Sequence, residues 1–170
     1  TMCKDHAISF TGDLSDSELI RNALDMVLSK WGSVNILVNS NGGPKTGNVS
    51  NLSDQDWSDS FNSYALPVFR AIREVLPEMK KQKWGRIVTI GSIAALEPIE
   101  NLDISNFIRS GFLGLHKSLS REVASDHVNV HVVLPGAIYT SRTQGRIEQR
   151  AKKLNISKEE SMSMSIAKIP

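Results

Sequence analysis

The chain has 170 residues, 20 basic and 18 acidic side chains and 40 % hydrophobic content, which suits one domain with a sizeable core. Its net charge of +2 supplies no field of the kind that gathers nucleic acid or anionic lipid. Cys3 is the single cysteine, which excludes an intrachain disulfide framework and a cysteine-based zinc cluster. No apolar run approaches the roughly 18 residues of a membrane-spanning helix, so the expected compartment is the cytoplasm, with no membrane and no nucleic-acid partner.

In chain order, Ala7–Phe10 is a short apolar run bounded by Thr11-Gly-Asp13 and predicts a strand. Ser15 or Asp16 can cap a helix whose Leu19, Ile20, Ala23, Leu24, Val27 and Leu28 fall on one face, and Trp31-Gly32 closes it. Val34–Val38 is a second strand, branched enough for burial on both sides. Asn39-Ser-Asn-Gly-Gly-Pro44 follows as a turn cluster.

Asp54 can cap a long helical segment running through Met79, with Pro67 expected to kink it. Gly85–Ile90 is the third strand. A second long helix spans about 102–124, with apolar and small residues on more than one face, so something beside its own sheet should cover it. Val128–Leu134 is the fourth strand. From Ser141 onward the chain is polar and helical in propensity. The basic Lys80-Lys81-Gln82-Lys83 with Arg86 reads as a solvated helix end. Strands alternating with helices predict an α/β fold: a Rossmann-like, doubly wound parallel sheet with helices on both faces.

In such a fold the C-terminal ends of the strands form the binding edge. Three of them here lead into Asn39-Ser-Asn-Gly-Gly43, Gly91-Ser92 and Pro135-Gly-Ala-Ile-Tyr-Thr140. Thirteen residues beyond Ser92 the long helix reads Ser105-Asn-Phe-Ile-Arg109, which sets Ser105 and Arg109 one turn apart. His6, His116, His127 and His131 have neither the spacing nor the acidic companions of a metal site, so structural roles are expected for them and no metal.

These residues, in this order and spacing, resemble the short-chain dehydrogenase/reductase family, in particular its 3-oxoacyl reductase-like members. The resemblance covers nearly the whole chain. It implies that Asp13 and Leu14 contact the adenine of NAD or NADP, that Ser40, Asn41 and Gly42 pass over the cofactor ribose, and that Pro135, Gly136, Ile138 and Thr140 hold the nicotinamide end. It makes Ser92 the counterpart of the catalytic serine. Where the family carries Tyr-x-x-x-Lys, this chain has Ser105 and Arg109. An aliphatic hydroxyl is a far poorer acid than a phenol, and an arginine does not shuttle protons, although it can hold a ribose or diphosphate. The family's helical asparagine, counted from Trp57, is replaced by Tyr64, an alternative phenol for the reaction.

The sequence has no Gly-x-x-x-Gly-x-Gly turn, and family members extend beyond both of its ends. The chain is therefore expected to be the central part of one longer domain, with Ala7–Phe10 lacking a strand partner, Val34–Val38 a bare edge, and 141–170 a substrate flap in which Met162, Met164 and Ile166 line the entrance. The family also implies a homodimer or homotetramer through 54–80 and 102–126. Two functions stay open: NAD(P)-dependent hydride transfer on a small ketone or secondary alcohol, or a catalytically inactive homologue that binds nucleotide or assists assembly.

Overall fold

The computed structural model describes residues 6–136 and 138–167, apart from the side chain of Arg142; Cys3 lies outside them. The chain forms two compact units, Thr1–Leu134 and Pro135–Pro170.

The first unit is a three-stranded parallel sheet whose connections are helical. Strand β1 (Ile36–Asn39) pairs with β2 (Gly85–Ile90), and β2 with β3 (Val128–Val133). Leu37, Ile87 and Val130 stand in register across the three strands. Helix α1 (Ser17–Trp31) precedes β1, the segment α2 (Asp54–Ser60) and α3 (Leu66–Lys81) joins β1 to β2, and α4 (Asp103–Glu122) joins β2 to β3. This is the Rossmann-like α/β class that the alternation of elements predicts.

Burial along β2 alternates, with Gly85, Ile87 and Thr89 buried and their neighbours half-buried. The buried residues face α3 and α4. Val68, Ile72, Val75 and Met79 of α3 recur at helical spacing, as do Ile104, Ile108, Phe112 and Leu119 of α4, and all pack with Ile87 and Val128 in one core. Gly85 is required by that packing: a Cβ there would lie 2.6 Å from Met79 Sδ. The residues of β1 that point the other way, Ile36 and Val38, are 58 % and 57 % exposed.

Several boundaries differ from the sequence reading. Ala7–Phe10 forms no ladder, because no described strand lies beside it, and its backbone has no strand hydrogen bonds. Val34 and Asn35 precede β1 rather than belonging to it, although Arg86 N–H still donates to the Asn35 carbonyl at 3.0 Å. Asp16 caps α1 by accepting from Glu18 N–H, and Gly32 closes it at φ 76°. Helix α2 is capped by Ser53, not Asp54. Ser53 accepts from Asp56 N–H while the Asp56 carboxylate accepts from Ser53 N–H, a reciprocal capping box.

The expected Pro67 kink takes a specific form. Phe61–Ala65 is a π-helical turn, in which Leu66 N–H reaches back five residues to the Phe61 carbonyl. Pro67 falls in the first turn of α3, where its missing N–H leaves the fewest bonds to repair.

The second unit is a helical hairpin of α5 (Ser141–Leu154) and α6 (Lys158–Ile166). Thr140 caps α5 and Asn155, at φ 52°, ends it. Ser161 is fully buried between the helices, donating to the Ile147 carbonyl at 2.9 Å and accepting from Arg150 Nε at 3.2 Å. Among the described residues no helix is long and apolar enough to cross a membrane.

Candidate active site

Ser92 follows β2 directly, with Gly91 N–H bonded to the Val133 carbonyl at 2.8 Å so that the strand end is fixed beside β3. Its extended backbone, φ −166°, caps a short 3-10 turn, Ile93–Ala95, and its Oγ accepts from Ala94 N–H at 3.2 Å. Among the described residues no acceptor takes its hydroxyl hydrogen. The turn is anchored to α4 by Ser110, which donates to the Ala95 carbonyl at 2.9 Å, so Ser92 is positioned by the helix that also carries Ser105 and Arg109.

One turn apart on α4, Arg109 Nε donates to Ser105 Oγ at 3.0 Å, and the Arg109 guanidinium lies 5.2 Å from the centroid of the Tyr64 ring. Ser105 and Tyr64 are buried, at 6 % and 3 % exposure, while Arg109 is half-buried. Tyr64 reaches Arg109 because the π turn of Phe61–Ala65 carries it, and its ring packs on Phe112 with centroids 5.8 Å apart. Three residues that the sequence places on two elements thus form one cluster.

The loop after β1 is tied to the same region. Asn41 Nδ2 donates to the Tyr64 carbonyl at 2.8 Å, which gives a partner to a carbonyl in the irregular turn. Ser40, Gly42 and Gly43 of this loop are exposed, and a Cβ at Gly42 would meet nothing within 4 Å. Further along, Gly47 bridges to the start of α4: its N–H donates to the Asn101 carbonyl at 2.9 Å, and its carbonyl accepts from Asp103 N–H at 3.1 Å.

Beneath the loop runs a buried polar chain that sequence reasoning did not assemble. Asn39 Nδ2 donates to Thr89 Oγ1 at 3.2 Å, Thr89 Oγ1 lies 2.7 Å from His116 Nε2, and His116 Nδ1 lies 2.8 Å from the Phe112 carbonyl. A carbonyl only accepts, so Nδ1 carries a proton, and the burial of the ring favours its neutral form, in which Nε2 accepts from Thr89. Burial holds its pKa below the usual 6.5. The chain of bonds draws on β1, β2 and α4, with Asn39 50 residues from Thr89 and Thr89 27 from His116, so no local pattern announces it.

Asp13 and Leu14 sit before α1. Asp13 Oδ1 accepts from Ser15 N–H at 2.9 Å, which holds the carboxyl below its ordinary range, and its carbonyl accepts from Asp16 N–H at 3.0 Å. Leu14 lines an apolar groove of about 260 Å³ with Phe10, Leu19, Val34, Leu37 and Val75. Pro135, Gly136, Ile138 and Thr140 belong to the second unit, where Thr140 Oγ1 accepts from Thr143 N–H at 3.4 Å and Ile138 is exposed. Among the described residues no group of His, Cys, Asp and Glu could hold a metal ion.

A strand-end serine, an exposed glycine loop and a helix-borne Ser-Arg pair thus lie on the C-terminal side of a parallel, Rossmann-like α/β sheet, the edge at which this class of fold binds its ligands. The chain matches the family model described as short chain dehydrogenase over residues 1–151, and it belongs to that family. It is 34 % identical over 134 residues to the 3-oxoacyl-(acyl-carrier-protein) reductase FabG of Escherichia coli K12, which covers 78 % of this chain and 54 % of the relative. It is similar to a short-chain dehydrogenase structure from Streptomyces avermitilis, at 27 % identity and a TM-score of 0.75, over 81 % of this chain and 51 % of that one. It is likewise similar to YwfH, an NADPH-dependent reductase involved in bacilysin biosynthesis, at 25 % identity and a TM-score of 0.79, over 84 % and 56 % of the two chains. The chain thus spans about half the length of the relatives it matches.

Proposed function

We propose that this chain contributes the substrate-side machinery of an NAD(P)-dependent oxidoreductase that transfers hydride between a nicotinamide cofactor and a small ketone or secondary alcohol. The observation that carries the reading is Ser92, fixed at the end of β2 with its oxygen engaged by Ala94 N–H and its hydrogen free to donate to a reacting carbonyl oxygen. Bound nicotinamide supplies the hydride. The open loop Ser40-Asn41-Gly42 fits the approach of a ribose, and Arg109 stands on the neighbouring helix. The glycine-rich diphosphate turn is not among these residues, so no residue here is assigned to it. Asp13, Leu14, Pro135, Gly136, Ile138 and Thr140 keep their cofactor assignments, and residues 141–170 that of a substrate flap, on the resemblance alone. A 3-oxoacyl substrate, as in the Escherichia coli relative, is the finer form of the same reading.

Tyr64 enters through Arg109. At 3 % exposure its ring is a platform under the guanidinium rather than an acid facing solvent. Tyr64→Phe keeps that platform and removes only the hydroxyl, so turnover is expected to stay within about threefold, against a loss of about 10²–10³ for Ser92→Ala. Measured with NADH and NADPH against a panel of ketones, a comparable loss in Tyr64→Phe would instead make the phenol the proton donor. A second reading, an inactive homologue that binds nucleotide or assists assembly, is favoured by the replacement of the Tyr-Lys pair by Ser105 and Arg109, whose contact leaves no phenol beside a lysine. Dinucleotide binding without turnover is its signature.

Self-association through α2, α3 and α4 belongs to the same proposal. Phe107 of α4 is 64 % exposed while stacked edge-on against Trp57 of α2 at 5.6 Å, and Leu115 of α4 and Phe61, at the start of the π turn after α2, are also exposed. Exposed apolar side chains on these helices suit contact with a second copy of the chain. Phe107→Glu is expected to shift the molecular mass in solution from dimer or tetramer to monomer by light scattering; an unchanged mass removes this face from the assembly.

A further inference from the structure

The chain contains a single Asn-Gly pair, Asn41-Gly42, and it stands in the loop that follows β1. The residue after an asparagine governs how readily the next backbone nitrogen reaches the side-chain amide. Asn35, Asn48, Asn51, Asn101, Asn129 and Asn155 are each followed by Ile, Val or Leu, whose branched side chains crowd that approach. Asn39 and Asn62 precede serine, but Asn39 is buried and bonded to Thr89, and Asn62 lies in the π turn. Gly42 has no side chain and is exposed, and among the described residues no hydrogen bond takes its N–H.

The amide of Asn41 has a structural task as well. Its Nδ2 donates to the Tyr64 carbonyl at 2.8 Å and so ties the loop to the π turn. In asparagine deamidation the backbone nitrogen of the next residue gives up its proton and attacks Cγ, and the Cγ–Nδ2 bond breaks. Nδ2 leaves as ammonia, taking up a proton, and water opens the resulting cyclic imide to aspartate or isoaspartate. Water is consumed, ammonia is released, and nothing is oxidised or reduced. The atom expelled is therefore the one that holds the loop. A carboxylate in its place has no hydrogen to give, and its oxygen would face the Tyr64 carbonyl as one acceptor against another. Isoaspartate also lengthens the backbone by a methylene at this point.

We propose that Asn41-Gly42 is a site of deamidation, and that conversion of Asn41 releases the loop after β1 from the π turn. The consequence for a ligand rests on the oxidoreductase reading above. This is the loop assigned to the cofactor ribose, so its release, together with a new negative charge, weakens the hold on a dinucleotide that is itself anionic.

The experiment is incubation of the protein in warm, mildly alkaline buffer. Conversion is located by peptide mass mapping and isoaspartate by methyltransferase labelling, and loop release is read as the rate of tryptic cleavage after Lys45, an exposed residue of the same loop. Asn41 is expected to convert ahead of every other asparagine. It should do so several-fold faster than in mildly acidic buffer, and several-fold faster than in Gly42→Ala, whose methyl group meets nothing within 4 Å. Cleavage after Lys45 should rise about three- to tenfold in the converted protein and in Asn41→Asp, the scale of one lost hydrogen bond, with NADH or NADPH affinity by calorimetric titration falling by a similar factor. Asn41 left intact under these conditions, or converted with cleavage unchanged, overturns the proposal without any variant having to fold. Conversion with faster cleavage in a protein that binds neither dinucleotide when fresh upholds the site and defeats the oxidoreductase reading instead.

Discussion

Phe112→Ala is expected to lower the unfolding free energy by about 3–5 kcal/mol, the range for emptying a buried aromatic site. Phe112 is 1 % exposed and makes ring contacts with Tyr64, Phe69 and His116 at centroid separations of 5.8, 6.1 and 6.1 Å. It joins α3, α4 and the π turn in one place. Its neighbours are themselves pinned, Tyr64 through the Asn41 bond and His116 through Thr89, so the cavity cannot collapse easily and the upper part of the range applies. Against a typical total of about 5–15 kcal/mol, such a loss would leave a large unfolded population. Urea titration followed by tryptophan fluorescence gives the number, and a loss below about 1.5 kcal/mol would mean that the core relaxes around the gap.

The second large effect belongs to His116. His116→Leu takes the acceptor away from the Thr89 hydroxyl and the donor away from the Phe112 carbonyl, at a cost of about 1–3 kcal/mol for a buried group left unpaired. The pH dependence distinguishes this from a simple packing loss. Burial depresses the folded-state pKa of His116 below 6.5, so on acidification the unfolded chain takes up this proton first. Stability then rises with pH across the window that begins at the folded pKa and ends near 6.5, and it is lost as pH falls through that window. Protonated Nε2 would also face the Thr89 oxygen as a donor and turn its hydroxyl away. Unfolding curves from pH 7.5 to 5 should slope in the native protein and flatten in the leucine variant. Parallel slopes in the two proteins would remove His116 as their cause.

The parts of the fold that depend on short-range pattern were legible in the sequence. Gly85–Ile90 was readable to the residue, because a run of branched residues between a glycine and Gly91-Ser92 has no helical alternative. The i, i+4 relation of Ser105 and Arg109 followed from helix geometry alone, and Asp16 was one of the two caps, with Ser15, that the sequence offered for α1. What was not legible depends on partners. Ala7–Phe10 has strand composition, but a strand exists only where another lies beside it, and no spacing within four residues reports that. Ser53 outcompeted Asp54 as a cap because its bond with Asp56 is reciprocal, a preference visible only once both ends of the box are considered.

The site divides in the same way. Ser92 and the Asn39–Gly43 loop could be placed at strand ends by counting elements. The position of Tyr64 over α4 could not, since it depends on one unusual turn, and the Asn39-Thr89-His116 chain spans separations of 50 and 27 residues. Its one advance signal was Thr89, a polar residue between Val88 and Ile90 in a strand expected to be buried, where a polar group must be given a partner.

The π turn at Phe61–Ala65 has a consequence for how this helix tolerates change in length. Each residue of an α-helix advances the side chains by about 100°, and a π turn is equivalent to one residue inserted into an otherwise regular helix. It works as a phase shifter: Trp57 and the residues before it are rotated relative to Phe69 and the α3 core by one residue's worth of angle. Chains of this family that differ by a single residue between Trp57 and Pro67 would be in phase on one side of the turn and out of phase on the other. Deleting Asn62 or Ser63 would restore a regular ladder and swing Trp57 off Phe107, so the local geometry improves while the surface it presents is lost.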